Sequence, residues 1–223
     1  MNRAELDELF RENFPFWDSI SDTDRETFFN SSQYVKFDRG TNIHDGNRCT
    51  GVILIKKGSL RLYILSEDGK EITLYRLFPG EMCMLSASCA LSAITFDVFV
   101  DAEEDSECVV VGGCAYAGLA QRIPEVNVFG LETALSRFSD VMWVMQQILF
   151  MSMDKRLAIF LLDEMSKTGS DTVHLTHEQI AKYMGSAREV VSRMLKYFST
   201  EGIVENLRGG VKVLNKARLR ALA

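Results

Sequence analysis

The apolar residues of this chain change period at Pro124, and that change constrains the fold more than any other feature. From Tyr34 to Val111 the apolar runs are short and are separated by glycine-containing turns. Val52-Ile53-Leu54-Ile55 and Leu60-Arg61-Leu62-Tyr63-Ile64 flank Lys57-Gly58-Ser59, and Ile72 to Leu77 follows the turn Glu67-Asp68-Gly69-Lys70. Phe96 to Val100 and Cys108 to Val111 continue the series. Many short strands joined by such turns predict a β-barrel or jelly roll. Two short helices are expected ahead of it. Leu6, Leu9 and Phe10 recur at helical spacing, and Ser21-Asp22-Thr23-Asp24 caps a second helix ending near Asn30.

Beyond Pro124 the spacing is helical. Between Val128 and Met151 there is no proline, and the only glycine is Gly130. Leu131, Leu135, Phe138, Met142, Met145 and Leu149 step by threes and fours, and Val141, Val144 and Ile148 widen the stripe. This is the seam of a long helix that packs on a partner, either a second copy of the chain or its own barrel; its length favours the second copy. Asp154 is the expected cap of a further helix running through Met165, which Lys167-Thr168-Gly169 stops.

The most informative segment follows. In Leu175-Thr176-His177-Glu178-Gln179-Ile180, Thr176 and Gln179 have capping-box spacing and Leu175 and Ile180 that of a hydrophobic staple. Gly185 permits a sharp turn, and Ser186 with Glu189 has the spacing of a second capping box. Two short capped helices about a glycine turn predict a helix-turn-helix. At about 100° per residue, Val190, Val191, Met194, Leu195 and Phe198 share one side of the second helix. Arg188, Glu189, Ser192, Arg193 and Lys196 share the other. That polar side suits a DNA major groove: arginine reads guanine, glutamate accepts from cytosine, and lysine or serine binds phosphate. The expected base contacts are Arg188, Glu189, Ser192 and Arg193; the expected backbone contacts are Thr176, His177, Ser186, Lys196 and Lys212. Ile203 to Asn206 and Val211 to Val213, flanking Arg208-Gly209-Gly210, predict a hairpin wing.

The charge distribution agrees with two units. The formal charge of -6 conceals an asymmetry: residues 154–223 hold 12 Lys+Arg against 8 Asp+Glu, and residues 1–153 hold 13 against 23. With 47% hydrophobic and 25% charged residues, the chain is neither disordered nor a disulfide miniprotein. No apolar run reaches the length of a membrane span and no signal peptide is evident, so a soluble cytoplasmic protein is expected, with no membrane partner. The five cysteines, Cys49, Cys83, Cys89, Cys108 and Cys114, contain no Cys-x-x-Cys pair and are read mainly as small buried hydrophobes in a reducing compartment. No nucleophile elbow, P-loop or metal motif occurs, so an enzyme is not expected.

Barrel, long helix and winged helix-turn-helix, in that order, resemble the Crp/Fnr family of bacterial transcription regulators over nearly the whole chain. Gly185-Ser186-Ala187-Arg188-Glu189-Val190-Val191-Ser192-Arg193 resembles the family's recognition motif G-x-x-R-E-x-V-x-R. Ile43-His44-Asp45-Gly46, Lys57-Gly58-Ser59-Leu60, Asp68-Gly69-Lys70-Glu71 and Phe78-Pro79-Gly80-Glu81 resemble its β-roll pattern. The resemblance implies an α+β chain with a β-roll sensor domain over 1–127, a dimerisation helix and hinge over 128–152, and a winged helix-turn-helix over 153–223. It also implies a homodimer on a palindromic operator, with double-stranded DNA and RNA polymerase as partners.

The resemblance bears on the effector as well. The family's ribose-binding pair falls near Met84-Leu85, its phosphate-binding pair near Thr95-Phe96-Asp97, and its adenine contacts near Val141-Met142. No Arg or Lys lies between Glu81 and Glu107, so a cyclic phosphate would meet Asp97 and no cation. Cyclic AMP is therefore not the expected effector; another effector or a redox signal is. Met84, Leu85, Cys89, Phe96, Phe99, Val141 and Met142 outline the expected pocket. The alternative is a haem- or iron–sulfur-based gas or redox sensor. Iron–sulfur is disfavoured because no cysteine precedes Cys49, whereas the apolar pocket could take haem with His44, Cys83, Cys89 or a methionine as axial ligand. His44, in its turn motif, is read more readily as structural, and no metal site is otherwise expected.

Overall fold

The computed structural model describes residues 1–46, 49–87 and 96–223. These form two compact units, one of residues 1–65 and 74–141, the other of residues 66–73 and 142–223.

The first unit opens with α1 (Arg3–Asn13) and α2 (Asp22–Asn30). Asn2 caps α1 reciprocally: its Oδ1 accepts from the Glu5 N–H at 2.9 Å, and its own N–H donates to the Glu5 carboxylate at 3.0 Å. Ser21 caps α2 as its spacing predicts. Eight strands follow: β1 (Ser32–Phe37), β2 (Asn42–His44), β3 (Val52–Lys57), β4 (Leu60–Leu65), β5 (Glu71–Leu77), β6 (Met82–Cys83), β7 (Phe99–Ala102) and β8 (Ser106–Val111). They make two four-stranded sheets, in the orders β1-β8-β3-β6 and β2-β7-β4-β5. Neighbours in each order are mostly distant in sequence, as in a jelly roll.

The unbroken apolar run of β3 shows why both faces of its sheet are dry. Ile53 and Ile55 point into the barrel, with Leu60, Leu62, Leu77, Val100 and Cys108. Val52 and Leu54 point the other way, onto a cluster of Phe10, Phe14, Trp17 and Phe28 supplied by the helical opening. A strand buried on both faces has no polar side to alternate with. The aromatic cluster packs edge-on, with Phe10 and Trp17 centroids 4.9 Å apart, the arrangement that aromatic quadrupoles favour. Between β3 and β4, Gly58 turns the chain at φ +88°, where a Cβ would stand 2.3 Å from Ser106 Oγ; no other residue fits.

Then come α3 (Gly113–Arg122), which the sequence pattern did not announce, and α4 (Pro124–Phe150). Pro124 opens α4, where its missing N–H costs nothing. The helix runs 27 residues and buries only Val126 and Gly130 completely. The expected seam is exposed along its length: Leu131, Leu135, Phe138 and Leu149 are 60–67% accessible, and Met142 and Met145 are also open.

The second unit comprises α5 (Met153–Thr168), β9 (Thr172–Val173), α6 (His177–Met184), α7 (Arg188–Thr200), β10 (Val204–Leu207), β11 (Gly210–Val213) and α8 (Lys216–Leu222), with residues 66–73. The N-cap of α5 is Ser152, not Asp154 as expected. Asp154 lies in the first turn, where hydrogen bonding to Ser152 holds its carboxyl below the usual carboxylate range. Leu157, Leu161, Ile180, Val191, Leu195, Phe198, Val211 and Leu219 form one core. The wing has three strands, β10-β11-β9. The third was missed because two residues carry no legible period.

Cys83 and Cys108 are buried free thiols, as read from sequence. Cys114 is free but exposed, and Cys49 is disulfide-bonded, so the small-hydrophobe reading fits neither. Cys89 lies outside the described residues. No helix among them is long and apolar enough to cross a membrane.

Candidate nucleic-acid interface

The interface is built on a turn whose backbone polar groups are satisfied locally. Thr176 Oγ1 accepts from the Gln179 N–H at 3.2 Å, and Gln179 Oε1 accepts from the Thr176 N–H at 2.8 Å. This is the expected capping box. Leu175 packs against the core cluster that contains Ile180. At the other end of α6, Gly185 takes φ +58°. There the Ser186 N–H reaches back to the Ala181 carbonyl at 2.9 Å and the Gly185 N–H to Lys182 at 3.3 Å, a Schellman closure. The Arg156 guanidinium donates to the Met184 carbonyl, so α5 holds the same turn.

The second capping box does not form. Ala187 is the N-cap of α7 and makes no side-chain cap, while the Ser186 hydroxyl lies 3.8 Å from Met153 Sδ. Ser186 is one residue too early because the Schellman closure takes it up, and Glu189 is thereby released from capping.

α7 divides as its helical wheel predicts. Val191, Leu195 and Phe198 are buried, and Arg188, Glu189, Arg193 and Lys196 are exposed. Among the described residues these four charged side chains make no ion pair or hydrogen bond with the protein. Elsewhere the arginines are largely engaged: Arg61 with Asp101, Arg76 with Glu103, Arg137 with Glu81, and Arg218 with Glu201. An arginine face left unpaired on a helix anchored by its buried side has its full fork of donors free for an external acceptor. Ser192 is half-buried and hydrogen-bonds His177 at 3.0 Å from Nδ1. Lys212 is exposed on β11, opposite Glu205 of β10.

The expected effector residues are less concentrated. Leu85 and Val141 pack on the barrel core. Met84 is buried on the aromatic cluster instead. Phe99 stacks on Tyr63 at 5.4 Å, and Phe96 and Met142 are exposed. Cys89 and Thr95 fall outside the described residues. His44 is buried, with Nδ1 2.9 Å from Thr50 Oγ1, and burial lowers its pKa. Among the described residues no group of three His, Cys, Asp or Glu could hold a metal ion.

Sequence reasoning missed a polar pair at this barrel. Arg137 of α4 pairs with Glu81 at 2.9 Å and Asp140 at 3.0 Å, and its guanidinium lies 5.3 Å from the Tyr75 ring centroid. Residues 82–106 hold no cation that would announce it, because the cation comes from α4. Its charge is already offset by two carboxylates. Arg137 Nε and the Tyr75 hydroxyl remain buried without a partner among the described residues. Burial raises the Tyr75 pKa well above that of a free phenol, so the hydroxyl keeps its proton.

Comparison with known proteins decides the family. Residues 35–122 match the family described as Cyclic nucleotide-binding domain, and residues 155–222 that described as Crp-like helix-turn-helix domain. A crystal structure from Eubacterium rectale, of a regulator assigned to the Crp/Fnr family, is 43% identical. It covers 94% of this chain and 98% of its own, with a TM-score of 0.90. This chain belongs to the Crp/Fnr family of transcription regulators. Two other relatives are the Cyclic AMP receptor protein of Thermus thermophilus and the nitrogen fixation regulation protein FixK of Bradyrhizobium diazoefficiens. The first is 28% identical, covering 81% of this chain and 82% of its own. The second is 26% identical, covering 92% and 88%. As a Crp/Fnr regulator the chain is a DNA-binding protein of a family of transcription regulators, and α7 occupies the recognition-helix position of its helix-turn-helix.

Proposed function

We propose that this Crp/Fnr regulator acts as a homodimer on a palindromic operator, reading each half-site with Arg188, Glu189, Ser192 and Arg193. Thr176, His177, Ser186, Lys196 and Lys212 are assigned to the phosphate backbone. One observation carries this reading: among the described residues, four charged side chains stand unpaired on one face of α7, while most of the other arginines are paired. Two such helices, joined through the exposed seam of α4, would lie about 34 Å apart, one turn of DNA. The division of labour follows the chain: sensing in 1–127, dimerisation and hinge in 128–152, DNA reading in 153–223. RNA polymerase is the partner through which an activator of this family would act.

Electrophoretic mobility shift with a half-site selected from random duplexes tests the reading. Arg193→Ala is expected to weaken the preference for that site by roughly 5- to 150-fold, and unchanged specific binding would sink the proposal.

The effector reading is that the β-roll senses something other than a cyclic nucleotide. The segment aligned with the family's phosphate contacts carries no cation, and Arg137 is already matched by Glu81 and Asp140. The unpartnered Tyr75 hydroxyl and Arg137 Nε suit an uncharged hydrogen-bonding group better than an anion. Titration with cyclic AMP is expected to leave the melting temperature unchanged. A saturable rise would overturn this part alone.

A further inference from the structure

His177 is the first residue of α6, Ser192 lies on the polar side of α7, and the contact between His177 Nδ1 and Ser192 Oγ at 3.0 Å links the two helices of the motif. The opposite ring nitrogen, Nε2, makes no hydrogen bond with the protein among the described residues. A hydroxyl has one hydrogen and two lone pairs, and a neutral imidazole has one N–H and one bare nitrogen. The link therefore has two forms. If Nδ1 carries the hydrogen, it donates to Ser192 and leaves the serine O–H free to donate outward. If Nε2 carries it, Nδ1 accepts the serine proton and Ser192 turns only lone pairs outward.

The partner of one ring nitrogen sets the tautomer at the other. A DNA phosphate is purely an acceptor, so a phosphate at Nε2 selects the form with hydrogen on Nε2. We propose that His177 is a positioning residue that sets the hydrogen-bonding polarity of Ser192, making it an acceptor when DNA is bound. Ser192 then reads an amino group in the major groove, adenine N6 or cytosine N4. This inference rests on α7 being the recognition helix. It adds that the serine's base preference is determined by a residue on the other helix.

The test uses the full-length protein on its selected half-site. Each adenine is replaced in turn by purine and each cytosine by 2-pyrimidinone, analogues that lack only the amino group. One replacement is expected to weaken wild-type binding by about 3- to 10-fold, the effect of one hydrogen bond. The same replacement is expected to cost nothing in Ser192→Ala or in the double variant, and less than in the wild type in His177→Ala, where the freed hydroxyl can donate as well as accept. His177→Phe, which keeps a ring without either nitrogen, should behave like His177→Ala and serves if the alanine variant is unstable. The inference is overturned if no replacement distinguishes the wild type from the His177 variants, or if those variants lose affinity equally on every duplex, as a phosphate contact alone would require. Failure of the wild type to select any half-site would instead overturn the reading of α7 itself.

Discussion

Two helices of this chain present faces left exposed among the described residues, and their chemistry is opposite. The open side of α4 is apolar, with Leu135, Phe138 and Leu149 in water. The open side of α7 is charged, with Arg188, Glu189, Arg193 and Lys196 unpaired among the described residues. The difference teaches what each face is for. Apolar area has no directional demand and is satisfied by any complementary apolar surface, so a symmetric seam suits a second copy. Arginine forks are directional and gain from planar acceptors at fixed positions, so their helix must be held rigidly. Consistent with this, α6 is opened by a capping box and the turn before α7 is closed by a Schellman motif.

The largest test attacks the apolar face. Leu135→Asp, with an ionised carboxylate at the centre of the seam, should cost about 3–5 kcal/mol of dimer free energy if the charge is buried unpaired. Sedimentation is expected to show a fall to the 25.2 kDa monomer mass; an unchanged mass would show that the seam does not join two copies. Next comes the charged face. Arg193→Ala should lose about 1–3 kcal/mol of base discrimination, roughly 5- to 150-fold in specific affinity, with little change in urea unfolding. A mutant that unfolds early while binding normally would make α7's charges structural, contrary to the comparison. The third test concerns rigidity: Gly185→Ala forces a Cβ into the left-handed region and should cost about 1–2 kcal/mol of stability in the helix-turn-helix unit.

The smallest effect is a control on the sensor unit. Burial depresses the His44 pKa below its usual 6.5, so the unfolded chain binds the proton more readily than the folded one. The stability contributed by neutral His44 is fully present above pH 6.5 and is lost as pH falls through the lower folded-state value. Denaturant midpoints should decline across that window, and His44→Gln should flatten the decline. A slope unaffected by the substitution would assign the pH dependence elsewhere.

Legibility followed the range of the interactions involved. The capping box at Thr176 and Gln179 and the glycine at 185 could be read because each involves residues within one or two turns. The box proposed at Ser186 and Glu189 failed for the same local reason read one residue wrongly: the Schellman closure uses Ser186, and the cap passes to Ala187. Asp154 was displaced as cap by Ser152 in the same way. The strands were legible through β3, whose apolar run is long enough to show burial on both faces; β9 and the two-residue β6 were not. The expected pocket proved harder. Met84 and Leu85 are adjacent in sequence yet pack on opposite clusters, because the chain leaves β6 at Cys83 and turns at Leu85.

From its sequence alone the chain's order of parts, the polarity of α7 and the open seam of α4 follow, because helical and strand periods are local and one-dimensional. Which arginines are already matched, and which are left over, only the tertiary structure decides. Arg137 meets a carboxylate 56 residues away and Arg76 one 27 residues away, whereas Arg188 and Arg193 meet none among the described residues. A charge is available for an outside partner only when folding brings it no inside one, and that depends on contacts no period encodes.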